Sequence, residues 1–483
     1  MVQMKRINLL LAGVLFAMGS LYAQTSDTEW KAGVEKLKTT IQSNPDQAED
    51  VAKELIKGKN KKNIDLLVAI GKTYLDAGDM EEAQEYAKLG RKADRKSAQV
   101  SLLEGDIAIA LKDPGTASQK YEEAILFDDK CVEAYVKFAD IYKRSNPDLA
   151  ISKLEDLRTI EPNNIEVDRK LADVYYTKND YNNAAEAYAR FATKPEATER
   201  DLARYSFVLF LKHDFEKSLE IANMGLQKNS VDPTFNRLAM YNNVDLKRYD
   251  EAMKAADIFF KECPEADYSY LDYKYHGYLL DAVKKYDQAA VSFEKAIELD
   301  STQVDLYKNI SEDYENLGNY KNAITFYKKY FNSLEPAKQT PDLQYEIGKL
   351  CYGAGTQSDS LTITMDERKA ALVEADTIFS KIATLAPDNY LGNFWRARVN
   401  VALDPDATQG LAKPFYEQVA ALIESKNDPR YNNVLIECYN YLGYYYLVND
   451  KLPESKEYWN KILAVDPNHA VAKKALEGLA NVQ

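Results

Sequence analysis

Apolar residues in this chain return at helical spacing in short, paired runs. The clearest pair spans Val304–Pro336. Tyr307, Ile310, Ser311 and Tyr314 share one face of a first run. Tyr320, Ala323, Tyr327 and Tyr330 share one face of a second, with Gly318 between the runs and Pro336 closing the unit. Recurrence every three to four residues predicts amphipathic helices with one buried stripe. Two such helices cannot enclose a core alone, so the pattern needs copies of itself. The copies are present. Tyr286, Ala289, Phe293 and Ala296 repeat the second run one period earlier, and Tyr249, Ala252, Ala256 and Phe259 repeat it again after a short slip. A period of about 34 residues predicts a solenoid of helix pairs.

Near the C-terminus the same unit reads Tyr439, Leu442, Gly443, Tyr446, Ser455, Trp459, Ile462 and Pro467. Others run through Leu67, Gly71, Tyr74, Ala83 and Ala87, through Tyr135, Ala139, Tyr142 and Leu154, and through Leu171, Ala172, Tyr175, Ala184 and Tyr188. A bulky residue, then Leu-Gly-x-x-Tyr, then Ala, an aromatic, Ala and Pro resembles the tetratricopeptide repeat (TPR) family. The resemblance covers nearly all of the chain beyond its first residues. It implies an all-α, right-handed α-α superhelix of about eleven repeats. The expected organisation is a leader at 1–23, an atypical helix pair at 24–63 and a regular array at 64–350. Irregular repeats with inserted loops follow at 351–431, then a final repeat and capping helix at 432–483. The main insertion is Tyr352–Asp366, read as a loop between two helices.

Charge and leader narrow the setting. The net charge is −14, and no basic run is long enough to follow a phosphate backbone, which argues against nucleic acid as partner. The start has a basic Lys5-Arg6, an apolar run from Ile7 to Met18 and a small Ala23 where cleavage falls. These are secretory features, and the run is too short for a membrane span. The ending of this leader resembles exported Bacteroidetes proteins, which implies a periplasmic or extracellular place. No later stretch has membrane length. Cys131, Cys263, Cys351 and Cys438 lie in different repeats, so free and mostly buried thiols are expected.

Catalytic constellations are missing from the pattern. His213, His276 and His469 stand in separate repeats without partners at metal or triad spacing, and acid pairs such as Glu81-Glu82 diverge on a helix surface. No cofactor, metal or catalytic residue is expected. The TPR resemblance instead implies that the first helix of each repeat lines a concave groove through its second, fifth, ninth and twelfth positions. In that phase Asp106, Asp140 and Asp173 form an acidic column. An aromatic stretch follows, Phe207, Tyr241 and Tyr278 with Phe210 and Tyr176 nearby, flanked by Arg169, Arg237, Lys274 and Lys308. The implied function is a non-catalytic scaffold that holds a peptide or helix of a cell-envelope protein on these aromatics and cations, with the acidic column as a steering field. The alternative is a structural subunit of an outer-membrane assembly, bound through the convex face and the 352–366 loop.

Overall fold

The computed structural model describes residues 30–263, 267–357 and 363–480. The leader and residues 358–362 of the insertion lie outside that range. Among the described residues every long element is a helix. By internal contacts the chain divides into two units, one ending at Leu238 and the other starting at Ala239.

In the first unit α1 occupies residues 30–43, followed by α2 (Ala48–Leu55), α3 (Ile64–Asp76), α4 (Met80–Ala93), α5 (Ala98–Ala110) and α6 (Pro114–Phe127). Then come α7 (Val132–Tyr142), α8 (Pro147–Ile160), α9 (Ile165–Thr177), α10 (Tyr181–Ala189), α11 (Glu199–Leu211) and α12 (Phe215–Lys228). Helix α13 (Pro233–Asp245) begins in this unit. The helices start where the sequence supplies an acceptor. Asn63, Asp79, Ser97, Asp113, Asn146, Asn164, Asp180, Thr198 and Asp214 each accept a backbone N–H of the first turn. From α3 to α12 each helix packs against its neighbours in sequence, so the apolar stripes of successive pairs are covered.

The second unit continues with α14 (Tyr249–Glu262), α15 (Tyr270–Ala282), α16 (Tyr286–Leu299), α17 (Leu306–Asn316), α18 (Tyr320–Ser333) and α19 (Pro341–Thr356). It ends with α20 (Met365–Leu385), α21 (Leu391–Leu403), α22 (Lys413–Lys426), α23 (Asn432–Val448), α24 (Leu452–Val465) and α25 (Ala470–Ala480). The expected loop at Tyr352–Asp366 is corrected here, because both of its ends are helical. Gly353 and Gly355 are contact residues of α19. A Cβ on the first would lie 2.5 Å from the Tyr320 ring, and one on the second 2.4 Å from Leu372. Small residues that read as loop signals are therefore what lets three helices approach. Thr364 and Glu367 then form a reciprocal capping box that starts α20. In the turn after α21, the buried Asp404 carboxylate accepts the N–H groups of Gln409 and Gly410 at 3.1 and 2.8 Å.

Cys263, Cys351 and Cys438 are buried, Cys131 is half-buried, and all four are free thiols. His276 faces Phe260 at 4.5 Å and shares a hydrogen bond with Ser292 at 3.0 Å. Burial holds its ring down at about 4. No helix among the described residues is long and apolar enough to cross a membrane.

Candidate functional site

Helices α5, α7, α9 and α11 are the first members of successive pairs, and a ladder of ion pairs joins them. Lys137 of α7 donates to both oxygens of Asp106 at 2.6 and 2.7 Å. Lys170 of α9 does the same to Asp140 at 3.0 Å. Arg204 of α11 reaches Asp173 at 3.0 Å. The offsets are 31, 30 and 31 residues, so each rung repeats one structural register. Lys143 adds bonds to Asp140 and Asp173 at 3.0 and 3.3 Å, and Tyr121 donates to Asp106 at 2.8 Å. Burial alone would raise the Asp173 carboxyl, but Lys143, Lys170 and Arg204 hold it below its ordinary value. The acidic column expected as a steering field is thus internally neutralised. These pairs tie neighbouring repeats, and the sequence pattern did not disclose them because the cations lie one repeat away.

The ladder stops at the next step. Phe207 stands in the register of the aspartates, and Leu238 stands in the register of the cations. A hollow of about 510 Å³ opens there, within the first unit. Tyr176 of α9 and Phe207 of α11 face each other across 6.5 Å and form one wall. Tyr188, Phe235 and Leu238 are buried beneath. Arg200 and Arg204, one turn apart on α11, stand around it with Arg237 of α13. The acids at its edge are Glu199 and Asp232. Asp232 is engaged in capping α13, accepting the N–H groups of Thr234 and Phe235 at 2.9 and 3.1 Å. A second hollow of about 490 Å³ shares Tyr188, Arg200 and Arg204 with the first and extends to Lys143, Arg169 and Lys170.

The other expected groove residues fall in different places. Phe210 is buried between Phe207 and Phe215 at 6.2 and 5.9 Å, as wall support. Arg169 is taken up by Asp201, through two bonds of 2.9 Å, and by Glu166. Tyr241 belongs to the second unit and is only 1% exposed, so it presents no surface to a partner. It stacks on Tyr275 at 4.4 Å and donates to the buried Asp272 at 2.6 Å. The bulky Tyr275 fills the space in front of it. Tyr278 is half-buried, with its ring at 5.3 Å from Phe293 and Lys274 above it at 6.0 Å. Lys308 is exposed and pairs with Glu312 at 3.8 Å. Tyr176, Phe207 and Arg237 are therefore the expected residues that the structure gathers around one hollow. Arg200 and Arg204 are additions. Arg200 was within reach of the sequence, since it occupies the second position of its helix.

Among the described residues no group of His, Cys, Asp and Glu is arranged to hold a metal. Residues 64–96, 276–303 and 304–332 match the family model of the tetratricopeptide repeat. The chain matches no curated protein. Among solved structures, it is 29% identical to the C-terminal part of a TPR repeat-containing protein from Cytophaga hutchinsonii, covering 57% of this chain and 99% of that one, with a TM-score of 0.42. A tetratricopeptide repeat protein from Parabacteroides merdae is 16% identical over 52% of this chain and 99% of its own, at a TM-score of 0.35. PilF of Pseudomonas aeruginosa is 15% identical over 46% and 100%, at 0.37.

Proposed function

Because the chain is a tetratricopeptide-repeat protein, we propose that it acts as a protein-interaction scaffold holding a segment of a partner in the hollow of its first unit. The observation that carries this reading is the interruption of the ladder. Three rungs of matched acid and cation are followed by Phe207 and Leu238, and the replacement leaves an open space walled by aromatics. Partly exposed aromatic rings beside arginine are the side chains that anchor a partner most strongly. Tyr176 is 36% exposed, so part of its ring is open to a partner. The reading assigns no catalytic step, in keeping with a fold that typically serves as a non-catalytic scaffold. The leader-like start from Lys5 to Ala23 supports action in the cell envelope, with an envelope protein as partner.

The test is affinity capture from envelope extract with the tagged chain and a Tyr176→Ala, Phe207→Ala double variant. One partner is expected on the first and absent from the second, with equal thermal melting of the two proteins. Retention of the same partner on both would sink the reading.

A further inference from the structure

Resting on that reading, we infer that the segment held in this hollow is uncharged and enters it with a large apolar side chain. The ladder supplies the first argument. At each of its three steps an acid meets a cation, and at the next step Phe207 and Leu238 replace both partners at once. Loss of one partner alone would leave a charge for a ligand to answer; loss of both leaves none. The rim is balanced too. Arg200, Arg204 and Arg237 are matched in number by Glu199, Asp232 and the Asp173 that holds Arg204 at 3.0 Å. Asp232 caps α13, and Arg237 is not free. Glu199 lies in the first turn of α11, where the helix dipole favours an acid, and the exposed Arg200 follows it. In the adjoining hollow Lys143 and Lys170 are held by Asp140 and Asp173, and Arg169 by Asp201 and Glu166.

A carboxylate or an ammonium carried inside would therefore leave water without meeting an unanswered opposite charge, which is costly. What the hollow offers is apolar surface. Tyr188, Phe235 and Leu238 are buried beneath it, and Tyr176 and Phe207 form the wall. A space of about 510 Å³ admits a large side chain with its flanking backbone, not a folded surface. An aromatic ring set there gains contact with the Tyr176 and Phe207 rings beyond the area it buries.

The experiment is isothermal titration calorimetry on the full chain with four acetylated and amidated peptides. They are Gly-Asn-Gln-Phe-Asn-Gln-Gly, its Asp/Glu isostere, a version with Lys at the same four positions, and the neutral version with Ala for Phe. The neutral Phe peptide is expected to bind about ten-fold or more tighter than its Ala version, the weight of burying one large side chain. It is also expected to bind about five-fold or more tighter than either charged version, the lower end of what an unanswered buried polar group costs. A charged version that binds as tightly as the neutral one overturns the inference and leaves the scaffold reading to its own capture test. Absence of binding by all four overturns it as well. If the neutral peptide binds Tyr176→Ala, Phe207→Ala as well as the natural chain, the inference falls, and retention of the envelope partner on that variant takes the scaffold reading with it. Should the double variant melt early, Tyr176→Ala alone, at a ring 36% exposed, takes its place.

Discussion

Asp313 is only 1% exposed on α17, and its Oδ2 has no hydrogen-bond partner among the described residues. Asp281 of α15 and its neighbour Glu312 are the charged groups nearest to it. Burial, then the charge of Asp281, pushes its carboxyl up from 3.8 to about 8. A carboxyl raised in this way keeps a proton that the unfolded chain has released. Its stabilising contribution is therefore complete below pH 3.8 and is lost as pH rises through about 8. His276 acts in the other direction at lower pH: its ring is held at about 4 against an ordinary 6.5, so the stability it contributes is lost as pH falls below 6.5. The interval from pH 6.5 to 8 isolates Asp313 from that histidine. Asp313→Asn is expected to flatten the decline of unfolding free energy across this interval. At its upper end the gain relative to pH 6.5 should be about 1–2 kcal/mol, because a carboxyl that stays protonated only in the folded chain costs about 1.4 kcal/mol per pH unit. Denaturant titrations at both pH values check it. Parallel slopes for the two proteins would show that Asp313 carries no such charge.

The turns between paired helices show what a sequence discloses about an element and what it conceals. Gly78 and Gly318 adopt φ of +81° and +71°, and glycine announces such a turn because it enters the left-handed region without steric cost. The equivalent turns elsewhere are made by Lys112, Asn179, His213, Lys247, Lys284 and Asp450, all with φ between 57° and 62°. Lysine carries no signal of that conformation; tertiary packing of the helix pair imposes it. The glycines of α19 mislead in the opposite sense, since their role is close helix contact and no turn is needed there. Helix existence was legible from apolar spacing and caps, whereas these turn conformations and the ends of the insertion were not. Two substitutions of opposite sign test the assignment. Lys284→Gly is expected to stabilise the chain by about 0.5–1 kcal/mol, and Gly318→Ala to destabilise it by about 1 kcal/mol. Equal shifts of both, read from denaturant midpoints, would refute a shared left-handed requirement.

At the scale of the molecule, the period was legible because every repeat states it again, while the site depended on residues one repeat apart. Phe207 and Tyr176 could be placed by register, but the pairing of Asp106, Asp140 and Asp173 with cations 31, 30 and 31 positions later needed the fold. The same architecture dictates how damage spreads. Contacts join each helix to its sequence neighbours within a unit, so stability is a chain of nearest-neighbour terms rather than one shared core. Gly277 in α15 is a sharp probe of this. A Cβ there would lie 2.4 Å from the fully buried Phe293 ring of α16, which cannot swing away without opening the pair. Gly277→Ala is expected to cost about 1–3 kcal/mol through overpacking. Because α15 and α16 are held by α14 and α17, amide exchange should accelerate in those four helices while α3 to α6 keep their protection. Hydrogen exchange resolved by peptide distinguishes the outcomes: acceleration confined to the altered pair and its neighbours follows from a linear array, whereas uniform acceleration would mean that the repeats unfold as one cooperative body.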